Sequence, residues 1–303
     1  MGHYFVMLLA VLMFAAQFSF TKVYGELVAQ KTSQTLIMMI FISIIGTVMY
    51  LIIGGFRVSF SPYLIFWAVA FAATMIPYYV LGIHVLSIGS VAIYSMFMML
   101  GGMLLPFVYG VIFLDEPLTL GKGIGCVVLT AAIFLQAMVQ NSDSVNQPKK
   151  GNKKGVFILL CIAIFILNGL TAIIAKAYLV ADPQPDEVGF TVVSCFLTAL
   201  FSLLMLIPTA CKKPRALFFE IKSACKPSLL LCMTAIGIAT YTGNFLQLKA
   251  AAKLPASVQF PMVSGGVIVF SAIASAKIFK EKISTKELFC IIAACASTVL
   301  FAF

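Results

Sequence analysis

The chain has 303 residues; 62% are apolar and 10% are charged, and the mean hydropathy is +1.10. Soluble domains carry roughly 25% charged residues, and one globule cannot bury this much apolar surface, so a soluble enzyme or a nucleic-acid-binding domain is excluded. The net charge of +10 sits in segments between apolar runs, where it reads as membrane topology rather than as an acidic partner's docking face.

A bilayer-crossing helix takes about 20 apolar residues, and ten such runs fill the chain. The first, Tyr4 to Tyr24, lacks a basic leader and a small-residue cleavage site, so it is expected as a retained span. The next four are Gln34–Ile53, Pro62–Gly82, Ser90–Leu114 and Gly123–Gln140. Then comes the longest polar stretch, Asn141 to Lys154, which has no apolar periodicity and cannot fold alone. Five more runs follow: Val156–Leu179, Val188–Thr209, Ser228–Leu248, Ala256–Ile278 and Glu287–Phe303. Between the seventh and eighth, Leu217, Phe218 and Ile221 could share one face of a short interfacial helix. The fold class expected is therefore an all-α membrane protein of ten transmembrane helices. Residues 1–140 form a first five-helix unit, 141–154 a linker and 155–303 a second unit.

Fifteen of the twenty Lys and Arg residues fall after the first, third, fifth, seventh and ninth runs. The positive-inside rule puts those segments in the cytoplasm and both termini outside. The eight cysteines show no C-x-x-C spacing, and most sit inside apolar runs as small buried residues, so no metal or redox framework follows. No cofactor is called for, and no phosphate-cradling G-x-x-x-x-G-K-[ST] loop is present.

The halves share landmarks. Gly101-Gly102 in the fourth run precedes Glu116-Pro-Leu-Thr119, and Gly265-Gly266 in the ninth precedes Glu281-Lys-Ile-Ser284. The first run ends Lys22-Val-Tyr24 and the sixth ends Lys176-Ala-Tyr178. Five is odd, so a second copy would enter the membrane upside down, the layout of many secondary carriers, with the ligand site at the repeat interface. The segment from Tyr94 through Pro106 to Thr119 resembles the drug/metabolite transporter superfamily and its EamA-like branch. The resemblance implies ten helices, two inverted repeats and transport of small organic metabolites. The glutamate that small multidrug resistance relatives carry in helix 1 has no counterpart; Gln17 occupies the middle of this run.

All ten acids lie in loops or at helix ends. A cation at bilayer depth wants a counter-charge, so a neutral, zwitterionic or weakly anionic ligand is favoured. Candidate contacts are the midspan polar groups in corresponding runs: Gln17 with Asn168, Tyr79 with Tyr241 and Asn244, and Tyr94 with Gln259. Each must point inward, either to a water-accessible site or to a neighbouring helix. Pro106 and Pro261 are candidate hinges. Glu116 and Glu281 are candidate gates, or else partners of the helix N-termini beside them. Lys22 and Lys176 could hold a substrate carboxylate or phosphate, but the expectation is that they snorkel towards headgroups, and that His84 sits at the interface. The expectation is a carrier in the plasma membrane, monomeric, with a small-molecule substrate, lipid around it and no nucleic-acid partner. A membrane-embedded lipid-modifying enzyme or a scramblase is the alternative.

Overall fold

In a computed structural model, residues 2–28, 32–58, 60–88, 91–143, 154–181, 186–251, 253–278 and 285–301 are described. Every regular element among them is an α-helix. The order is α1 (Gly2–Leu27), α2 (Thr32–Ile53), α3 (Pro62–Ile88), α4 (Val91–Phe113), α5 (Leu120–Asp143), α6 (Lys154–Ala181), α7 (Glu187–Lys212), α8 (Pro214–Ala224), α9 (Pro227–Ala251), α10 (Ala256–Ile278) and α11 (Thr285–Leu300). Eight of these, all but α5, α8 and α11, are long and apolar enough to cross a membrane by length and composition. That is the build of an integral multi-pass membrane protein. Among the described residues the apolar stretches of α5 and α11 are Leu120–Leu135 and Leu288–Leu300. Polar Gln136, Gln140, Asn141 and Asp143 crowd the far end of α5. The 141–154 linker also begins later than expected, because α5 runs on to Asp143 and α6 starts at Lys154.

The helices carry large apolar side chains on their outer faces, and the interior is an apolar core into which some helices bury hydroxyls. In α7 the buried stripe holds Thr191, Ser194, Thr198 and Ser202, while Phe196 and Leu203 are 57% and 54% exposed. A threonine or serine inside a span satisfies its own proton on the preceding turn, as Thr198 Oγ1 does on the Ser194 carbonyl at 2.7 Å. Helix ends are set locally. Gly55 (φ +60°) and Phe56 (φ +59°) turn the chain out of α2. The Asp186 side chain caps α7 through the Gly189 amide at 2.7 Å, and Pro214 opens α8.

The packing order is not the chain order. α1 lies against α9 and α10, and α6 against α3 and α4; α2 packs on α7 and α9, and α7 on α2 and α3. α4 meets α10, α5 meets α4 and α11, and α10 meets α11. Glycines allow the closest approaches. A Cβ on Gly101 would run into the backbone of Phe165 on α6, and one on Gly266 into the Val11 side chain on α1. The short helix α8 forms where the interfacial helix is expected, but its exposed and buried sides divide differently. Leu217 is buried against Leu36 and Leu206, whereas Phe218 and Ile221 are exposed. The buried Glu220 carboxylate accepts from the Ser33 hydroxyl at the start of α2.

Candidate functional site

A cavity of about 420 Å³ lies inside the bundle, within the range of small-molecule sites. Its walls come from α1, α2, α3, α4, α6, α7, α9 and α10, and none of its lining residues belongs to α5 or α11. Six of the seven sequence-derived contact residues line it: Gln17, Tyr79, Asn168, Tyr241, Asn244 and Gln259. Tyr94 does not. It packs in the apolar cluster of Tyr78, Val85, Cys161 and Ile164 between α3, α4 and α6, and its hydroxyl fills the space that Gly82 leaves open.

Each lining group is held by its helix in a distinct way. Asn168 Nδ2 donates to the Met98 carbonyl of α4 at 2.7 Å; Gly102 makes room for that amide. Tyr241 lodges its ring against Gly46 of α2, and its carbonyl accepts from the Tyr50 hydroxyl at 3.2 Å. Asn244 follows one turn on, on the same side of α9. Tyr79 meets Tyr78 edge to face with centroids 5.0 Å apart. Gln259 is 2% exposed, and its Oε1 has no hydrogen-bond partner among the described residues. The buried Ser194 Oγ has none among them either.

Sequence reading passed over two parts of this wall. Thr191, Ser194, Cys195 and Thr198 line it from α7, and their i, i+3, i+4, i+7 spacing was the available signal. Gln247 lines it too. A further wall residue is Lys176, for which snorkelling is the role expected from sequence. It does not snorkel: it is 7% exposed, lines the cavity, and donates from Nζ to the Leu254 carbonyl at 3.1 Å. The neighbouring turn holds the carboxylate of Glu116, which offsets the cost of burying an ammonium. The side chain of Lys22 lies outside the described residues.

Glu116 serves a helix terminus, but that of α10 and not of α5, the helix that follows it in sequence. Its carboxylate accepts from the backbone amides of Ala256 at 2.6 Å and Ser257 at 2.7 Å, the arrangement that a helix N-terminus favours. The cause is local. α4 ends with Asp115 left-handed (φ +50°) and the Glu116 amide donating back to the Gly110 carbonyl at 3.1 Å. That turn throws Glu116 across to α10, over Gly110, which has no side chain in the way. Thr119 does start α5, its Oγ1 accepting from the Lys122 amide at 3.3 Å. Lys122, counted from sequence as a loop charge, is 6% exposed and donates to the Pro117 carbonyl (2.9 Å) and to Ser257 Oγ (3.2 Å). Glu116, Lys122 and Lys176 thus join the α4–α5 turn, the end of α6 and the α9–α10 turn. Glu281 lies outside the described residues. Pro106 and Pro261 are buried within α4 and α10 beside, but not in, the lining. His84 is exposed on α3 and does not line the cavity.

Among the described residues the lining holds no carboxylate and no histidine, and no group of three or more His, Cys, Asp or Glu comes together. Those residues offer amides, hydroxyls, aromatic faces and the Lys176 ammonium, a set suited to holding a small polar molecule. No family model and no curated protein matches the chain. Among solved structures it is similar to one protein crystal structure over 99% of its own length and 96% of the other chain, with a TM-score of 0.69 at 14% identity. That likeness is one of fold.

Proposed function

We propose that the chain is a secondary carrier of the drug/metabolite transporter type. It moves a small neutral or zwitterionic organic molecule across the plasma membrane by alternating access, as a monomer and without bond-breaking chemistry. The observation that carries this reading is the make-up of the cavity: polar groups at its walls, none acidic, contributed by the first four helices of one half and the corresponding four of the other. In this reading α5 and α11 are also spans, making ten, and α1–α5 and α6, α7, α9, α10 and α11 are two inverted copies.

The packing order supports the repeat. Exchanging each helix with its counterpart turns the α1–α9 contact into α6–α3, α1–α10 into α6–α4, α2–α9 into α7–α3 and α4–α5 into α10–α11, and all of these exist. The pairs α2–α7, α4–α10 and α5–α11 map onto themselves. The second glycine of each pair acts alike, Gly102 against Asn168 of α6 and Gly266 against Val11 of α1, whereas Gly101 faces α6 and Gly265 faces α11 and α5. Corresponding tyrosines act alike too: Tyr24 reaches from the end of α1 to the Gln34 carbonyl at 3.5 Å, and Tyr178 from the end of α6 to that of Asp186 at 3.0 Å. The cross-half bonds of Glu116, Lys122 and Lys176 then close the end of the cavity assigned to the outside, and they part when it opens there.

The test is uptake into vesicles reconstituted with the purified protein, over a panel of neutral and zwitterionic metabolites. Saturable uptake of one class, lost when Asn244 is replaced by Leu, is expected. Lipid scrambling in the same vesicles without uptake of any solute would overturn the carrier reading.

A further inference from the structure

The short helix α8 has two unlike faces. Leu217, Glu220 and Ala224 are buried, Leu217 against Leu36 of α2 and Leu206 of α7, and Ala224 in the cluster of Tyr24 and Leu229. Arg215, Phe218, Phe219 and Lys222 recur at i, i+3, i+4 and i+7, so they share the opposite face. All four are exposed, the two phenylalanines by 70% and 73%. Lys212 and Lys213 precede this stripe and Lys226 follows it, and these are exposed too. The segment thus presents five cations outward, while its one acid, Glu220, is turned inward to the Ser33 hydroxyl. Among the described residues none of the five cations pairs with a carboxylate.

Position decides what such a face meets. α8 joins the end of α7 to the start of α9, both long and apolar enough to span, so it lies at the edge of the bilayer. Two adjacent exposed phenylalanines are unfavourable in water, and the boundary between headgroups and acyl chains takes them up. Cations on the same face then stand at the depth of the lipid phosphates. A zwitterionic headgroup offsets its phosphate with its own ammonium; five cations without acidic partners favour a headgroup that does not. We propose that the outer face of α8 binds acidic glycerophospholipid, with Phe218 and Phe219 in the acyl boundary and Arg215 and Lys222 on the headgroup phosphate. Lys212, Lys213 and Lys226 add attraction at longer range. No residue of α8 lines the cavity, so the inference stands apart from the carrier reading. Leu217 and Glu220 tie α8 to α2 and α7, so lipid held on the outer face braces both helices.

The test offers the purified full chain, in a neutral detergent, equal amounts of phosphatidylglycerol and phosphatidylcholine, and counts the lipid retained by native mass spectrometry. Phosphatidylglycerol is expected to be retained in excess and to raise the unfolding temperature more than phosphatidylcholine does. The preference falls about fivefold with each of Arg215→Gln and Lys222→Gln, the usual worth of a basic residue at an acidic membrane surface. Arg57→Gln, which removes an exposed cation between α2 and α3, leaves the preference unchanged. Salt gives a check that needs no substitution. Going from about 0.1 to about 1 M shortens the screening length from about 10 to about 3 Å, and the preference shrinks. Equal retention of the two lipids by the unaltered chain overturns the proposal and leaves the stripe to a protein partner. A preference that survives both α8 substitutions overturns it, and so does a loss on Arg57→Gln as large as that on Arg215→Gln, which would mean diffuse charge rather than a site on α8.

Discussion

Asn168 and Asn244 are the same residue type at similar depth, yet they are held differently. Asn168 bonds the α4 backbone and so joins two helices; Asn244 makes no such bond among the described residues and faces the cavity. Replacing Asn244 with Leu is therefore expected to weaken ligand binding by about 1–3 kcal/mol, the cost of an unpaired polar group on the ligand, with little change in unfolding temperature. Replacing Asn168 with Leu is expected to lower stability as well, by about 0.6 kcal/mol, a typical interhelical hydrogen bond in a membrane. Binding titrations and thermal unfolding on the same two purified variants separate the roles; equal loss of stability in both would make Asn244 helix glue.

The helices are positioned by glycines and by charged turns. Gly101 lets α4 touch the α6 backbone at Phe165, so Gly101→Ala forces the two apart and is expected to cost about 1–3 kcal/mol. Gly123 on α5 has open space where a Cβ would go, and Gly123→Ala is expected to stabilise by about 0.5–1 kcal/mol through lower backbone entropy in the unfolded chain. Opposite signs in thermal unfolding check both. At the α10 terminus, Glu116→Ala removes the acceptor of two backbone amides and is expected to cost about 0.5–2 kcal/mol. Glu116→Gln, which keeps one oxygen, should recover part of that. If the alanine variant unfolds at the wild-type temperature, the bond across the halves does not hold the closed end together.

At the scale of the whole molecule the proposed orientation rests on the basic residues. Lys122 and Lys176, two of the five assigned to the outside in that proposal, are buried in protein contacts. Leaving them out strengthens the proposed inward bias. A reporter fused at Asn146 is expected to read as cytoplasmic, and one placed after Phe303 as external. A cytoplasmic reading after Phe303 would reverse the assignment, and with it the side on which Glu116 and Lys176 close the cavity.

The sequence by itself determined the helices, because a run of about twenty apolar residues in hydrocarbon has no other way to satisfy its backbone. It also determined which midspan residues face inward, since a polar side chain facing lipid is expensive; Gln17, Asn168, Asn244 and Gln259 were legible for that reason alone. Which inward group meets a neighbouring helix and which meets a cavity was not legible. Tyr94 and Tyr79 look alike in sequence, and both pack against the cluster between α3, α4 and α6, but only Tyr79 also reaches the cavity wall. The α7 stripe was readable at helical spacing, but hydroxyls that bond their own helix give a weak polarity signal. Lys176 and Glu116 were decided by tertiary structure. Beside an apolar run a lysine reads as snorkelling and a glutamate as serving the next helix, and it took the docking of α10's first turn onto the end of α4 to bring Leu254, Ala256 and Ser257 within reach of both.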